Sequence, residues 1–158
     1  MGDDILVRLT WAEVLFAAQV GAMRNVQCLK EGWRPGAAAG IDNAWTLNVE
    51  GAAGEMAVAK YLGVYWSGAV GDLKADDVGS YQVRTNCTRR GDKMILRPGD
   101  EAEKPYISVL SFLPEFIICG WILCRDGRRE EWLGGAPGRP PCYCVPRAKL
   151  HPMALLPA

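Results

Sequence analysis

The sequence predicts an α+β fold: two N-terminal helices packed on a mixed, mainly antiparallel β-sheet, in one domain over residues 1–158. Three observations predict it. Apolar residues recur at spacings of three and four through the first third of the chain, short β-branched and aromatic runs replace them after Gly63, and Gly, Pro and Asp punctuate those runs. At 158 residues, 49% of them hydrophobic, the chain can bury about 68 to 70% of its unfolded surface, enough for one independent core. A charged fraction of 23% and six tryptophans exclude a disordered class, because that much buried apolar surface offsets the entropy of ordering.

The first helix starts at a capping box, Thr10 with Glu13 three residues on. Trp11, Val14, Leu15, Ala18, Ala22, Val26 and Leu29 form its apolar stripe, which is expected to face the core. Gly32 and Pro35 stop it, and residues 34–40 read as a connection. A second helix over 45–62 carries Trp45, Val49, Ala52, Met56 and Ala59 on one stripe and ends at Gly63. Its Gly51 and Gly54 each cost about 1 kcal/mol of helix propensity relative to Ala, so a neighbour is expected to approach closely. Strands are expected over 72–78, 81–88, 93–97, 107–112 and 116–123, with turns at 79–80, 89–92, 98–105 and 114–115. A β-rich tail over 113–158 adds a short run at 142–145 and a last turn at 147–150.

No stretch supplies about 18 uninterrupted apolar residues, so no membrane span is expected. The opening Gly2, Asp3 and Asp4 have the wrong charge for a secretory leader, and a cytoplasmic protein with reduced thiols is expected. Net charge is zero, but residues 1–83 carry −4 and residues 84–158 carry +4. The six cysteines (28, 87, 119, 124, 142 and 144) lack the C-x2-C spacing of a zinc knuckle and are expected to pack as small hydrophobes, with Cys142 and Cys144 on one strand face. His151 is the sole histidine and is expected at the surface; no phosphate-binding loop, dinucleotide fingerprint or nucleophile elbow is present.

Chemistry concentrates in residues 51–62 (GAAGEMAVAKYL) and 71–84 (GDLKADDVGSYQVR). Glu55 projects from the flank of the second helix's apolar stripe, where a charge needs a partner. Asp77 sits at a strand end, and a tight connection leads to Gln82 and Arg84, which alternation puts on one strand face. Asp76, on the opposite face, and Asp72 are alternates for Asp77. Converging oxygen ligands suit Mg²⁺, which binds through a few carboxylates and keeps positions for water and phosphate.

This arrangement resembles the PD-(D/E)xK phosphodiesterase superfamily, the restriction-endonuclease-like fold, over a core at 45–112; the whole chain is similar to small phage and prophage proteins. The resemblance places the helix glutamate at Glu55, the aspartate at Asp77 and the strand tripeptide at Gln82-Val83-Arg84. Gln82 stands where an acid is usual and Arg84 where lysine is usual. An amide oxygen can still ligate a metal, whereas arginine, with a pKa above about 12, can orient water or stabilise phosphate charge but cannot act as a base. The resemblance implies a Mg²⁺- or Mn²⁺-dependent nuclease acting on nucleic acid, DNA in the first instance. Glu55, Asp77, Gln82 and the Val83 carbonyl would hold the metal, and Arg84 would position water or phosphate. A basic hairpin tip at Arg89, Arg90 and Lys93 would meet the phosphate backbone. A homodimer is plausible by analogy with nucleases of this fold. Two other classes stay open: a nuclease fold kept as an inactive binding or phage structural module, and a protein-contact domain using exposed tryptophans.

Overall fold

The computed structural model describes residues 4–32, 44–72, 75–86, 92–135, 137–138 and 140–158. It is α+β. Strand β1 (Ile5–Arg8) leads into α1 (Trp11–Lys30), and α2 (Ala44–Leu62) follows. Strands β2 (Gln82–Asn86), β3 (Lys93–Leu96), β4 (Pro105–Phe112) and β5 (Glu115–Leu123) come next, then a short helix α3 (Cys124–Gly127), β6 (Leu133–Gly134) and β7 (Cys142–Pro146). The capping box forms in full: the Thr10 hydroxyl accepts from the Glu13 N–H, and the Glu13 carboxylate accepts from the Thr10 N–H. Gly63, with φ +66°, ends α2 as expected.

One sheet has the order β1-β5-β4-β2, the other β3-β7-β6. β1, β4 and β5 are antiparallel, but β2 runs parallel to β4. α2 covers one face of the larger sheet, building a core from Ala52, Ala57, Val58, Val83, Ile107, Val109, Phe116 and Ile118. The small sheet covers the other face at β4 and β5, where Met94, Leu96 and Val145 meet Tyr106, Ile122 and Cys124. Both faces of β4 and β5 are therefore dry, which is why these strands read as nearly unbroken apolar runs. Between Ser108 and Val109 the register slips opposite Cys119, the extra residue of a bulge. Beyond it the alternation of β5 shifts, so that Trp121 joins Phe116 and Ile118 in the helix-facing core.

Three expectations need correction. β1 was not expected, because four residues ahead of a capping box carry too little pattern. Of the strand expected over 72–78, residues 73 and 74 lie outside the described residues, and the others form only a bridge between Val78 and Tyr81 around a turn at Gly79, φ +59°; three aspartates make this a poor strand sequence. The apolar stripe of α1 does not face the core. Ala17, Val20, Gly21 and Asn25 are buried instead, while Trp11, Leu15, Val26 and Leu29 stay exposed. The reason is the closeness of α1 to α2, which selects small residues at the contact. A Cβ on Gly21 would lie 2.5 Å from the Val49 Cα of α2; Gly54 is pressed as closely on the sheet side of α2, where its Cβ would run into the Thr85 side chain of β2.

Gly51, by contrast, has nothing within 4 Å of where its Cβ would stand. Gly51→Ala is therefore expected to stabilise the protein by roughly 1 kcal/mol through helix propensity. Gly21→Ala should do the opposite, losing about 1 to 3 kcal/mol because backbone cannot give way as a side chain can. Urea unfolding of the two variants checks this; a Gly21→Ala protein more stable than wild type would mean the helices are not in this contact.

Candidate functional site

Glu55 is buried on α2, and its charge is compensated by a residue the sequence did not single out. Arg24, from α1, forms a two-pronged ion pair with it, Nη1 to Oε1 at 2.6 Å and Nη2 to Oε2 at 2.8 Å. Trp66 donates its indole N–H to Oε2 at 3.0 Å, and the Arg24 Nε donates to the Ala69 carbonyl at 2.9 Å. Burial works against the Arg24 charge, but the Glu55 carboxylate outweighs it and holds the guanidinium more firmly protonated. Sequence alone offered one clue: Arg24 lies three and seven residues after Gly21 and Ala17, on the small-residue face that meets α2.

Asp77 stands at the turn before β2. Its Oδ2 accepts from the Val83 N–H at 2.8 Å, and its own N–H donates to the Tyr81 carbonyl. β2 is the edge strand of its sheet, so the Val83 amide points away from β4, and its carbonyl leaves the strand on the same side. Burial and then the nearby Glu55 charge push the Asp77 carboxyl up to about 6, with the Val83 N–H, Arg84 and Arg24 pulling the other way. Asp77 is a half-buried acid short of positive charge.

Gln82 and Arg84 share a strand face and both open into a cleft of about 460 Å³. The Gln82 amide donates to the Asp76 Oδ1 at 3.1 Å, and the Lys104 ammonium contacts the same oxygen. Asp76 therefore lines the cleft beside Asp77 rather than facing away from it, because the expected strand is a turn. The Arg84 Nη2 donates to the Asp100 Oδ1 at 2.8 Å, and its guanidinium lies 4.8 Å from the centre of the Tyr106 ring. Asp100 is in turn fixed by the Arg97 N–H at 2.8 Å. These two contacts make Arg84 a pre-set fork rather than a mobile side chain. Asp100 and Tyr106 had no signal in the sequence, since a turn and a strand far along the chain supply them.

The structure thus brings Asp77, Gln82 and Arg84 to one cleft and puts Glu55 within electrostatic reach of Asp77; Val83 gives its N–H to Asp77 but is buried in the core and does not line the cleft. Glu55 itself does not line the cleft; Arg24 does. Both Glu55 oxygens are engaged by Arg24, and one of them by Trp66 as well, so in this arrangement Glu55 is a compensated buried charge rather than an open ligand. Among the described residues, no group of three or more His, Cys, Asp and Glu side chains is placed to hold a metal ion. Of the expected ligands, the Asp77 carboxylate and the Gln82 amide face the cleft, both offering oxygen. That set suits Mg²⁺, which needs one or two protein carboxylates and takes its remaining ligands from water and phosphate. Among the described lining residues, six carboxylates face three guanidinium groups, a balance that favours a cation.

The expected basic tip lies largely outside the described residues, as Arg89 and Arg90 do; Lys93 is exposed at the start of β3. Cys142 and Cys144 share a face of β7 with their sulfurs 4.0 Å apart, and burial pushes the thiols of Cys119 and Cys124 up. His151 is exposed and pairs its backbone with Trp121. Among the described residues, no helix is long and apolar enough to cross a membrane. Compared with protein-family models, with curated proteins and with solved structures, the chain finds no match.

Proposed function

We propose that the cleft is the site of a metal-dependent phosphodiesterase acting on nucleic acid, with DNA as the first substrate to test. The observation that carries this reading is Asp77: a half-buried carboxylate raised to about 6, lining with Gln82 a cleft that has more carboxylates than cations. Such an acid gains most from a hard cation. Bound there, Mg²⁺ or Mn²⁺ would supply Lewis acidity and an activated water. The chain's own residues do the rest. Asp77 and Gln82 offer oxygen ligands, while Arg84, held by Asp100 and Tyr106, presents its remaining N–H groups to a phosphate or to the water that attacks it. Arg24 keeps Glu55 neutralised behind this layer. Arg89, Arg90 and Lys93 would add phosphate contacts outside the cleft.

The second reading, a nuclease-like module that binds without cutting, is favoured by one observation: Arg24 already neutralises Glu55, leaving Asp77 as the one motif carboxylate open to the cleft. A single experiment separates the two. Under the first reading, Mg²⁺ or Mn²⁺ raises the melting temperature and supports cleavage of duplex or single-stranded DNA. Asp77→Asn should lose both effects, Arg84→Ala should lose cleavage and keep the melting shift, and Gln82→Glu should tighten the metal by adding a charge. DNA binding with no melting shift and no cleavage would overturn the first reading in favour of the second.

A further inference from the structure

α1 shows its large apolar residues to solvent. Trp11, Leu15, Phe16, Met23, Val26 and Leu29 are 72, 62, 47, 58, 45 and 63% exposed. At 100° per residue they fall on one arc of the helix, with Ala18 and Ala22 along its edge and Gln19 near its middle. Of the nine exposed residues of α1 only Lys30 is charged, and it is the last residue of the helix. The opposite face is spent on α2, where Gly21 sets a contact too close for a side chain. A soluble chain that places small and polar residues inward and an uncharged apolar stripe outward has an unfilled contact on that stripe.

We infer that this stripe is the contact surface of a symmetric homodimer, its occupant being α1 of a second copy running antiparallel. Charge argues against other occupants. A nucleic acid would need Lys or Arg on the stripe, and a helix lying in a membrane surface carries basic residues on its polar face, which here is packed on α2. The stripe is also self-complementary about its middle. Trp11, Leu15 and Phe16 lie at one end, Met23, Val26 and Leu29 at the other, and the uncharged Gln19 lies between them at the centre. A twofold axis near Gln19 sets the aromatic end of each copy against the aliphatic end of the other, as an isologous contact requires. The area fits as well. Given the 150–250 Å² that one aromatic side chain can bury, the six residues offer roughly 700 Å², close to the ~800 Å² per partner of a standard stable interface.

This inference stands apart from the cleft and its chemistry. Light scattering and sedimentation of the full chain test it, with Leu15→Glu and Val26→Glu as variants, both exposed enough to leave the monomer fold intact. The wild type is expected at about twice 17.3 kDa at tens of micromolar, with each Glu variant dissociating at least about 100-fold more readily because it buries an unpaired charge. Under mild oxidation Gln19→Cys should give a cross-linked dimer. Lys30→Cys should not, because with the axis near Gln19 the two copies of residue 30 lie about 33 Å apart along the helices at 1.5 Å per residue. A wild type monomeric at 100 μM, a dimer indifferent to both Glu variants, or preferential cross-linking of Lys30→Cys would overturn the inference. So would Glu variants that melt earlier as monomers, since another part of the same chain would then cover the stripe.

Discussion

Arg24→Met is expected to destabilise the protein by about 3 to 5 kcal/mol, the cost of leaving one member of a buried ion pair uncompensated. Glu55 would keep only the Trp66 N–H, and Asp77 would lose the guanidinium that partly offsets its charge. Glu55→Gln should cost less. Its amide oxygen can still accept from Trp66, and the freed Arg24 retains the Ala69 carbonyl and the field of Asp77. The double variant Arg24→Met, Glu55→Gln should recover most of the loss, because a buried pair replaced as a unit by uncharged groups is nearly neutral. Urea unfolding of the three variants gives the coupling directly, expected at 2 kcal/mol or more on the order of magnitude set by charged hydrogen bonds. Three variants each within about 1 kcal/mol of wild type would mean that Arg24 and Glu55 do not meet in solution.

The same pair marks the limit of what the chain revealed before folding. Thr10 with Glu13, Gly63, and the runs that became β3, β4, β5 and β7 were legible because caps and period are local signals. The need for a partner at Glu55 was legible too, since a carboxylate at the edge of an apolar helix face requires one. Which partner was not. Arg24 lies 31 residues away on a helix whose large apolar residues suggested the wrong inward face. Period locates a stripe without saying what covers it, and here the closeness of α2 gave the inner position to glycine and alanine. The parallel pairing of β2 with β4 was hidden for a related reason. Antiparallel neighbours can be joined by short turns that show in sequence, whereas this pair is joined through β3, which belongs to another sheet. Asp77, Gln82 and Arg84 did arrive in one cleft, because a tight turn and strand alternation fix them locally. Asp100 and Tyr106, which hold Arg84, come from a distance.

Asp77→Asn is expected to make the metal-free protein more stable above pH 6 and to leave it unchanged near pH 4. In the folded chain the Asp77 carboxyl is raised to about 6 from an ordinary value of 3.8. Between those two values the folded state holds a proton that the unfolded state has released, so stability falls as pH rises through the window. Once both values are passed the loss is on the order of 3 kcal/mol. Asparagine carries no charge and keeps an oxygen to accept from the Val83 N–H, so it removes the loss without breaking that bond. The difference in unfolding free energy between variant and wild type, measured in chelator from pH 4 to 8, should open across this window and then level off. Added Mg²⁺ should close it again by restoring the wild type above pH 6, with no effect on the variant, since a cation at the carboxylate supplies the charge that burial and Glu55 withhold. A difference independent of pH would mean that Asp77 ionises as an ordinary surface acid. A pH-dependent difference that Mg²⁺ leaves untouched would keep the raised Asp77 carboxyl and remove the metal from the cleft.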